Sequence, residues 1–276
     1  MSNIRLIVSD LDGTLLSESH ALTEPVKAAV RQFKASGGLF TIATGRFGPT
    51  ARHIVEELDI DIPFILCNGS VIADRHQVLA ASTLSLQELA PFLLEAGELG
   101  VTVMLFEETG ALALRRTADV DIFEDRENIA CEVVHPQDRE WTGRLVQKVL
   151  LIGDMPQIQA LWAEHHGRFE QGYATIQSED NYFEIIPPSQ SKGTALRKLM
   201  ELLQVEPSEV LSIGNQMNDL DMIEAAGVGA AVANSHPDLK ARASYVCSRS
   251  YGEGVVEVME ALNLLNTVTH PEERIQ

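Results

Sequence analysis

Two carboxylates, Asp10 and Asp12, stand two residues apart at the end of a short apolar run. Held that close they repel, which raises the pKa of one unless a divalent cation binds or the two take different roles. Gly13 follows them and permits a tight turn that a continuing strand forbids. Thr44 offers a hydroxyl at a second strand end, Gly45 lets the backbone approach a ligand closely, and Arg46 completes the triplet. Lys192 precedes a helix N-terminus, where backbone N–H groups favour anions and an ammonium neutralises a phosphate. Asn215, Asn218 and Asp219 bring oxygen ligands of the kind magnesium prefers. Each cluster taken alone has a plainer reading, as a turn, a helix cap or a surface lysine.

The elements around these clusters decide between the readings. Ile4 to Val8, Leu39 to Ala43, Phe64 to Cys67, Val210 to Ile213 and Val228 to Ala233 are short apolar runs, as expected of strands buried on both faces of a parallel sheet. Helices are expected from Thr23–Pro25 to Gly37–Gly38, over 49–58, over 193–203 and near 219–226. A last helix is expected over about 254–265, before a frayed tail from Thr267 to Gln276. This alternation predicts a doubly wound parallel α/β sheet. The middle of the chain differs. Val71–Ala73 and Val78–Ala80 read as a hairpin, 84–99 and 158–165 as helices, and 101–106, 111–114, 149–152, 174–176 and 182–186 as close-set strands. Residues 117–147 are polar and resist assignment. An α+β unit over 83–186, inserted into a core formed by 1–82 and 187–276, is the expected organisation. Ligands of open α/β sheets bind beyond the carboxyl ends of the strands, where three of the polar clusters fall, with Lys192 opening a helix.

The chain has 276 residues, 45% of them hydrophobic, which suits one large domain or two smaller ones of roughly 100–200 residues each. Forty acidic against 21 basic residues give a formal charge of −19. Such a field repels nucleic acid and would also repel a phosphorylated substrate, so a phosphate site must be built locally. Cys67, Cys131 and Cys247 are too scattered for a zinc site or a disulfide framework. The first residues lack a signal-peptide pattern, and no apolar stretch approaches the roughly 20 residues that span a bilayer. A cytoplasmic protein without a membrane partner is expected, as a monomer or homodimer.

Together the clusters resemble the haloacid dehalogenase superfamily of phosphohydrolases, in its Cof-type branch. Asp-Leu-Asp-Gly-Thr-Leu at 10–15, Thr-Gly-Arg at 44–46, Lys192, and the stretch from Gly214 to Asp219 match its four motifs in order. Asn68–Gly69, Ile185 to Gly193 and Ala233–Asn234 are also typical of the branch. The resemblance implies a magnesium-dependent phosphatase of small phosphorylated metabolites, sugar phosphates or cofactor and nucleotide precursors. Asp10 would be the nucleophile that becomes an aspartyl-phosphate, and Asp12 the acid and base. Leu11, Thr44, Gly45, Lys192 and Asn218 would hold the phosphoryl group, and Arg46 would touch substrate. Mg2+ would sit among Asp10, Asp12, Asn215 and Asp219. One departure stands out: position 215 is Asn where the family usually has Asp, so weaker metal binding is expected, with Asp219 carrying more of the coordination. A phosphomutase and a non-catalytic phospho-ligand binder are the competing functions. Substrate selection within the inserted unit is expected from Glu107, Glu108, Arg115, Arg116, Trp141 and Tyr182.

Overall fold

The structure is a computed structural model describing residues 3–265. The expected fraying after Thr267 lies outside the described residues. The chain opens with β1 (Leu6–Ser9), α1 (Glu24–Ala35), β2 (Leu39–Ile42), α2 (Gly48–Glu57) and β3 (Phe64–Leu66), then the hairpin β4 (Val71–Ala73) and β5 (Val78–Ala81). Next come α3 (Leu86–Glu98), β6 (Thr102–Phe106), β7 (Ala111–Ala113), α4 (Ala118–Glu127), β8 (Cys131–Val133), β9 (Lys148–Ile152), α5 (Met155–His165), β10 (Ala174–Glu179) and β11 (Tyr182–Ile186). The chain closes with α6 (Lys192–Leu203), β12 (Val210–Gly214), α7 (Leu220–Ala225), β13 (Val228–Ala231), α8 (Pro237–Arg242), β14 (Tyr245–Val246) and α9 (Tyr251–Ala261).

The core is a parallel five-stranded sheet in the order β14-β13-β12-β1-β2. β13, β12, β1 and β2 are buried on both faces, as their continuous apolar runs require, whereas Val246 of the edge strand β14 is exposed. Ile7 faces α1 and α9, among Val30, Phe33, Val255 and Val258. Leu6 and Val8 face α6 and α7, among Leu196, Leu199 and Met222. This is the predicted doubly wound α/β architecture. The third expected strand departs from a simple continuation. β3 touches the sheet through one parallel bridge, Ala43 to Ile65, and otherwise pairs antiparallel with β4. The cause is local: Cys67 and Asn68 both take positive φ (49° and 54°), which turns the chain back on itself.

The inserted unit is a six-stranded sheet in the order β10-β11-β9-β6-β7-β8. Its strands alternate between two faces with period two. Val103, Leu105, Val149, Leu151, Phe183 and Ile185 pack against α3 and α5 in the unit's own core. Met104, Phe106, Leu150, Ile152 and Tyr182 face the other way and join the cluster of the parallel-sheet domain. The polar stretch 117–147 holds α4, β8 and a short 3-10 turn at Arg139–Gly143. Thr117 caps α4 by accepting from Val120 N, and Asn128 ends it in the left-handed region (φ 52°). The three cysteines are unpaired. Among the described residues no helix is long and apolar enough to cross a membrane.

Candidate active site

Strand order brings the polar clusters together. β1 and β12 are neighbours, so Asp10, which donates its N–H to Ile213 O at 2.9 Å, lies beside the 214–219 loop. Gly13 takes φ 79°, and a Cβ on it would sit 2.1 Å from Asn215 Nδ2; only glycine admits this approach of the two loops. Asn234 Nδ2 donates to Gly13 O (2.8 Å) and holds the turn from below. α6 begins at Lys192 because Ser191 and Thr194 form a reciprocal capping box. That start aims the lysine inward, where it is 1% exposed.

Lys192 Nζ donates to Asp10 Oδ1 and to Asp219 Oδ1, each at 2.6 Å. Asp219 is wholly buried, and its Oδ2 accepts from the backbone N–H of Asn215 (2.8 Å) and Gln216 (3.0 Å). One ammonium therefore faces two buried carboxylates. Burial pushes the Asp10 carboxyl up to about 7; Lys192 pulls it down, and the charge on Asp219 works against Lys192. For Lys192, burial acts to lower the pKa, but Asp10 and Asp219 prevail and hold it above the ordinary lysine value.

Asp12 is in a different environment. Arg46 donates from Nε to its Oδ2 (2.8 Å) and from Nη2 to its Oδ1 (2.7 Å), a bidentate clamp. His20 Nδ1 lies 3.2 Å from Oδ1. Burial would raise the Asp12 carboxyl, but the hydrogen bonds from Arg46 and His20 outweigh it and hold it well below the usual carboxylate range. The two aspartates two residues apart are thus pushed in opposite directions.

Asp10, Asp12, Gly45, Arg46, Lys192, Asn215 and Asn218 line one cavity of about 310 Å³ between the parallel sheet and the inserted unit. Thr44, Leu11 and Asp219 stand behind its wall. Thr44 Oγ1 accepts from Arg46 N at 3.1 Å, and Leu11 is fully buried, so only its backbone can meet a ligand. Of the six residues expected to select substrate, only Tyr182 lines the cavity. Trp141 is buried in the inserted unit's own core, Glu107 pairs with Arg144 (3.1 Å), and Glu108, Arg115 and Arg116 border other hollows. The far wall is instead made by Phe106, Phe123, Arg126, Glu127, Lys148, Leu150, Ser178, Glu179 and Glu184 with Tyr182. His20, Asn68 and Gln216 complete it on the near side. Asn68 had a sequence signal, its Asn-Gly pair, but Glu184 sits inside a run that reads only as strand, and Lys148 falls just before the expected strand 149–152.

Among the described residues no three Asp, Glu, His or Cys side chains form a ready-made metal cluster, since position 215 is an amide. The donors present still suit Mg2+, which takes hard oxygens from carboxylates, amides and backbone carbonyls. Two buried carboxylates, Asp10 and Asp219, share the ammonium of Lys192, which leaves negative charge that a cation would balance.

Residues 7–259 match the haloacid dehalogenase-like hydrolase family. Phosphatase YwpJ of Bacillus subtilis is 28% identical over 291 residues, covering 94% of this chain and all of YwpJ. The same organism's 5-amino-6-(5-phospho-D-ribitylamino)uracil phosphatase YwtE is 26% identical over 290 residues, covering 94% and 98%. A haloacid dehalogenase-like hydrolase from Bacteroides thetaiotaomicron superposes with a TM-score of 0.83 at 23% identity, covering 94% and 99% of the two chains, which speaks to fold.

Proposed function

Because this chain belongs to the haloacid dehalogenase-like hydrolases and is a phosphoric monoester hydrolase, we propose that it hydrolyses a small phosphorylated metabolite through an aspartyl-phosphate on Asp10, with Mg2+. The observation that carries this reading is the pairing of opposites within one cavity. Lys192 touches Asp10 and Arg46 clamps Asp12, so each carboxylate has its own cation. Two carboxylates held separately in one cavity can divide nucleophilic and proton-transfer roles between them.

In the proposed first step an Asp10 oxygen attacks phosphorus and the bond to the leaving oxygen breaks. Asp12, ionised in the free site, takes up the proton that the substrate's phosphate monoanion brings and passes it to the leaving oxygen. In the second step Asp12 takes a proton from water, whose oxygen attacks phosphorus, and Asp10 is released with inorganic phosphate. Lys192, the Thr44–Gly45 loop and Asn218 hold the phosphoryl oxygens throughout, and Arg46 sets the Asp12 carboxylate toward the leaving group. Mg2+, held by Asp10, the Asp12 carbonyl and Asn215 with Asp219 behind, would neutralise charge on the transferring group. Positioning and charge neutralisation are the main demands of phosphoryl transfer.

We assign residues 83–186 as a cap that closes over the cavity and excludes water. A volume near 310 Å³ suits a leaving group of one ring or a short polyol chain. YwtE is named for a uracil ring carrying a phosphorylated ribitylamino chain. The test is a phosphometabolite panel with Mg2+, run beside p-nitrophenyl phosphate and the Asp10→Asn variant. Turnover that persists in Asp10→Asn would defeat the mechanism.

A further inference from the structure

Two charged cap residues cross the cavity and bind loops of the core. Lys148, at the start of β9, donates from Nζ to Gly45 O at 2.8 Å. Glu184, in β11, accepts from Asn68 Nδ2 at 2.7 Å through Oε2 and from Ser178 Oγ at 2.7 Å through Oε1. The pair also meet each other, Nζ to Oε2 at 3.3 Å, and their side chains are only 7% and 5% exposed. The path continues in the core: Asn218 Nδ2 donates to Asn68 Oδ1 at 3.0 Å. Asn68 is itself fixed, buried in the left-handed region, with Gly45 close enough that a Cβ there would lie 3.1 Å from Asn68 Nδ2.

We propose that Lys148 and Glu184 are positioning residues that make the phosphoryl site complete only when the cap is seated. This rests on the phosphatase reading above. Lys148 holds the Gly45 carbonyl and so fixes the loop that carries Thr44. Glu184 orients Asn68, and Asn68 orients Asn218. Burying an ammonium and a carboxylate is costly unless each keeps its partners. Here the partners lie on both sides of the interface, so the pair is satisfied only in the docked geometry. A fully connected buried network of this kind has one good arrangement and no half-formed one. Both side chains are spent on the core, so they recognise the closed state rather than the leaving group.

The test measures kcat, KM and inhibition by orthovanadate, a mimic of the phosphoryl group, for Lys148→Gln and Glu184→Gln. We expect vanadate inhibition to weaken about tenfold in each, and kcat to fall with it, in protein whose thermal melt is still cooperative. A cycle with Asn218→Ala separates positioning from a general packing defect. In that background Glu184→Gln should cost under about threefold, because its effect runs through Asn218. Independent, additive losses overturn the proposal, as does vanadate inhibition within about twofold of wild type in both variants. Should either variant not fold, the other carries the same comparison. A wild type that leaves p-nitrophenyl phosphate intact, or an Asp10→Asn protein that cleaves it, instead sinks the phosphatase reading. A working wild type with an inert Asp10→Asn and unmoved cap variants sinks the positioning role alone.

Discussion

Arg46 grips both carboxylate oxygens of Asp12, at 2.8 and 2.7 Å, while its own Nη1 lies 3.5 Å from Glu127 of the cap. The residue proposed to move protons is therefore tethered to the lid through one guanidinium.

That tether sets a pH profile. Asp12 is held ionised by hydrogen bonds that overcome its burial. Arg46→Met removes both bonds, so the Asp12 carboxyl rises and stays protonated to higher pH. With an alkyl phosphate, whose leaving oxygen needs a proton, the variant's kcat/KM relative to wild type should rise as pH falls from about 7 to about 5. A ratio independent of pH would show that Asp12 does not pass that proton.

The buried Asp10 carboxylate costs stability in metal-free protein. The folded Asp10 carboxyl titrates near 7 against 3.8 for the ordinary group, so folding disfavours its ionised form. The sign follows: below the unfolded value both states are protonated and the cost vanishes, while above the folded value it is complete. It grows between pH 4 and 7 to at most about 4 kcal/mol. With chelator present, Asp10→Asn should melt above wild type at pH 8 and show little gain at pH 4. A gain independent of pH would refute the assignment. Added Mg2+ should stabilise wild type and not the variant.

Asn215, proposed as a metal ligand, should hold the cation less tightly than an aspartate there would. Asn215→Asp adds a carboxylate beside Asp10, Asp12 and Asp219. The magnesium midpoint for hydrolysis should drop about tenfold, since one more charged oxygen binds the cation. In chelator the same variant should melt below wild type, through like-charge repulsion. Calorimetric melts with and without Mg2+ read both effects; a midpoint unchanged by the substitution would remove position 215 from the metal site.

Gly69→Ala tests how closely the Asn68 turn approaches α6. At φ 99°, a Cβ on Gly69 would fall 2.1 Å from Ser191 O and 3.1 Å from Lys192 N. Both contacts are backbone and neither can swing aside. A loss of about 2–4 kcal/mol in denaturant melts is expected. The remaining folded protein should show weakened vanadate inhibition, because the start of α6 carries Lys192. A melt equal to wild type would mean that the turn relaxes freely.

Much of the core could be read from residue order. Val26, Ala29, Val30 and Phe33 mark the buried stripe of α1, and the apolar runs of β1, β2, β12 and β13 are continuous because both sheet faces are covered. The cap was harder. In α4 only Val120 and Phe123 are buried, which leaves no stripe to detect, yet this helix delivers Arg126 and Glu127 to the cavity. The 6-residue α8 and the two-residue β14 are too short for periodicity to register. Substrate-facing residues of the cap depend on the strand order β10-β11-β9-β6, set by pairings distant in sequence. Charged loop residues such as Glu108 and Arg116 border other hollows, while the strand residues Lys148 and Glu184 reach the cavity.

The alternation of the cap strands separates two kinds of selection. In β6, β9 and β11 the odd-numbered residues Val103, Leu105, Val149, Leu151, Phe183 and Ile185 hold the cap together. The even-numbered Phe106, Lys148, Leu150, Tyr182 and Glu184 look into the cavity. Drift at Phe106, Leu150 and Tyr182 can redirect which phosphoester is accepted while Lys148 and Glu184 keep the cap seated and the odd positions keep the scaffold intact. Descendants of this chain can thus diverge in diet without first relearning how to fold.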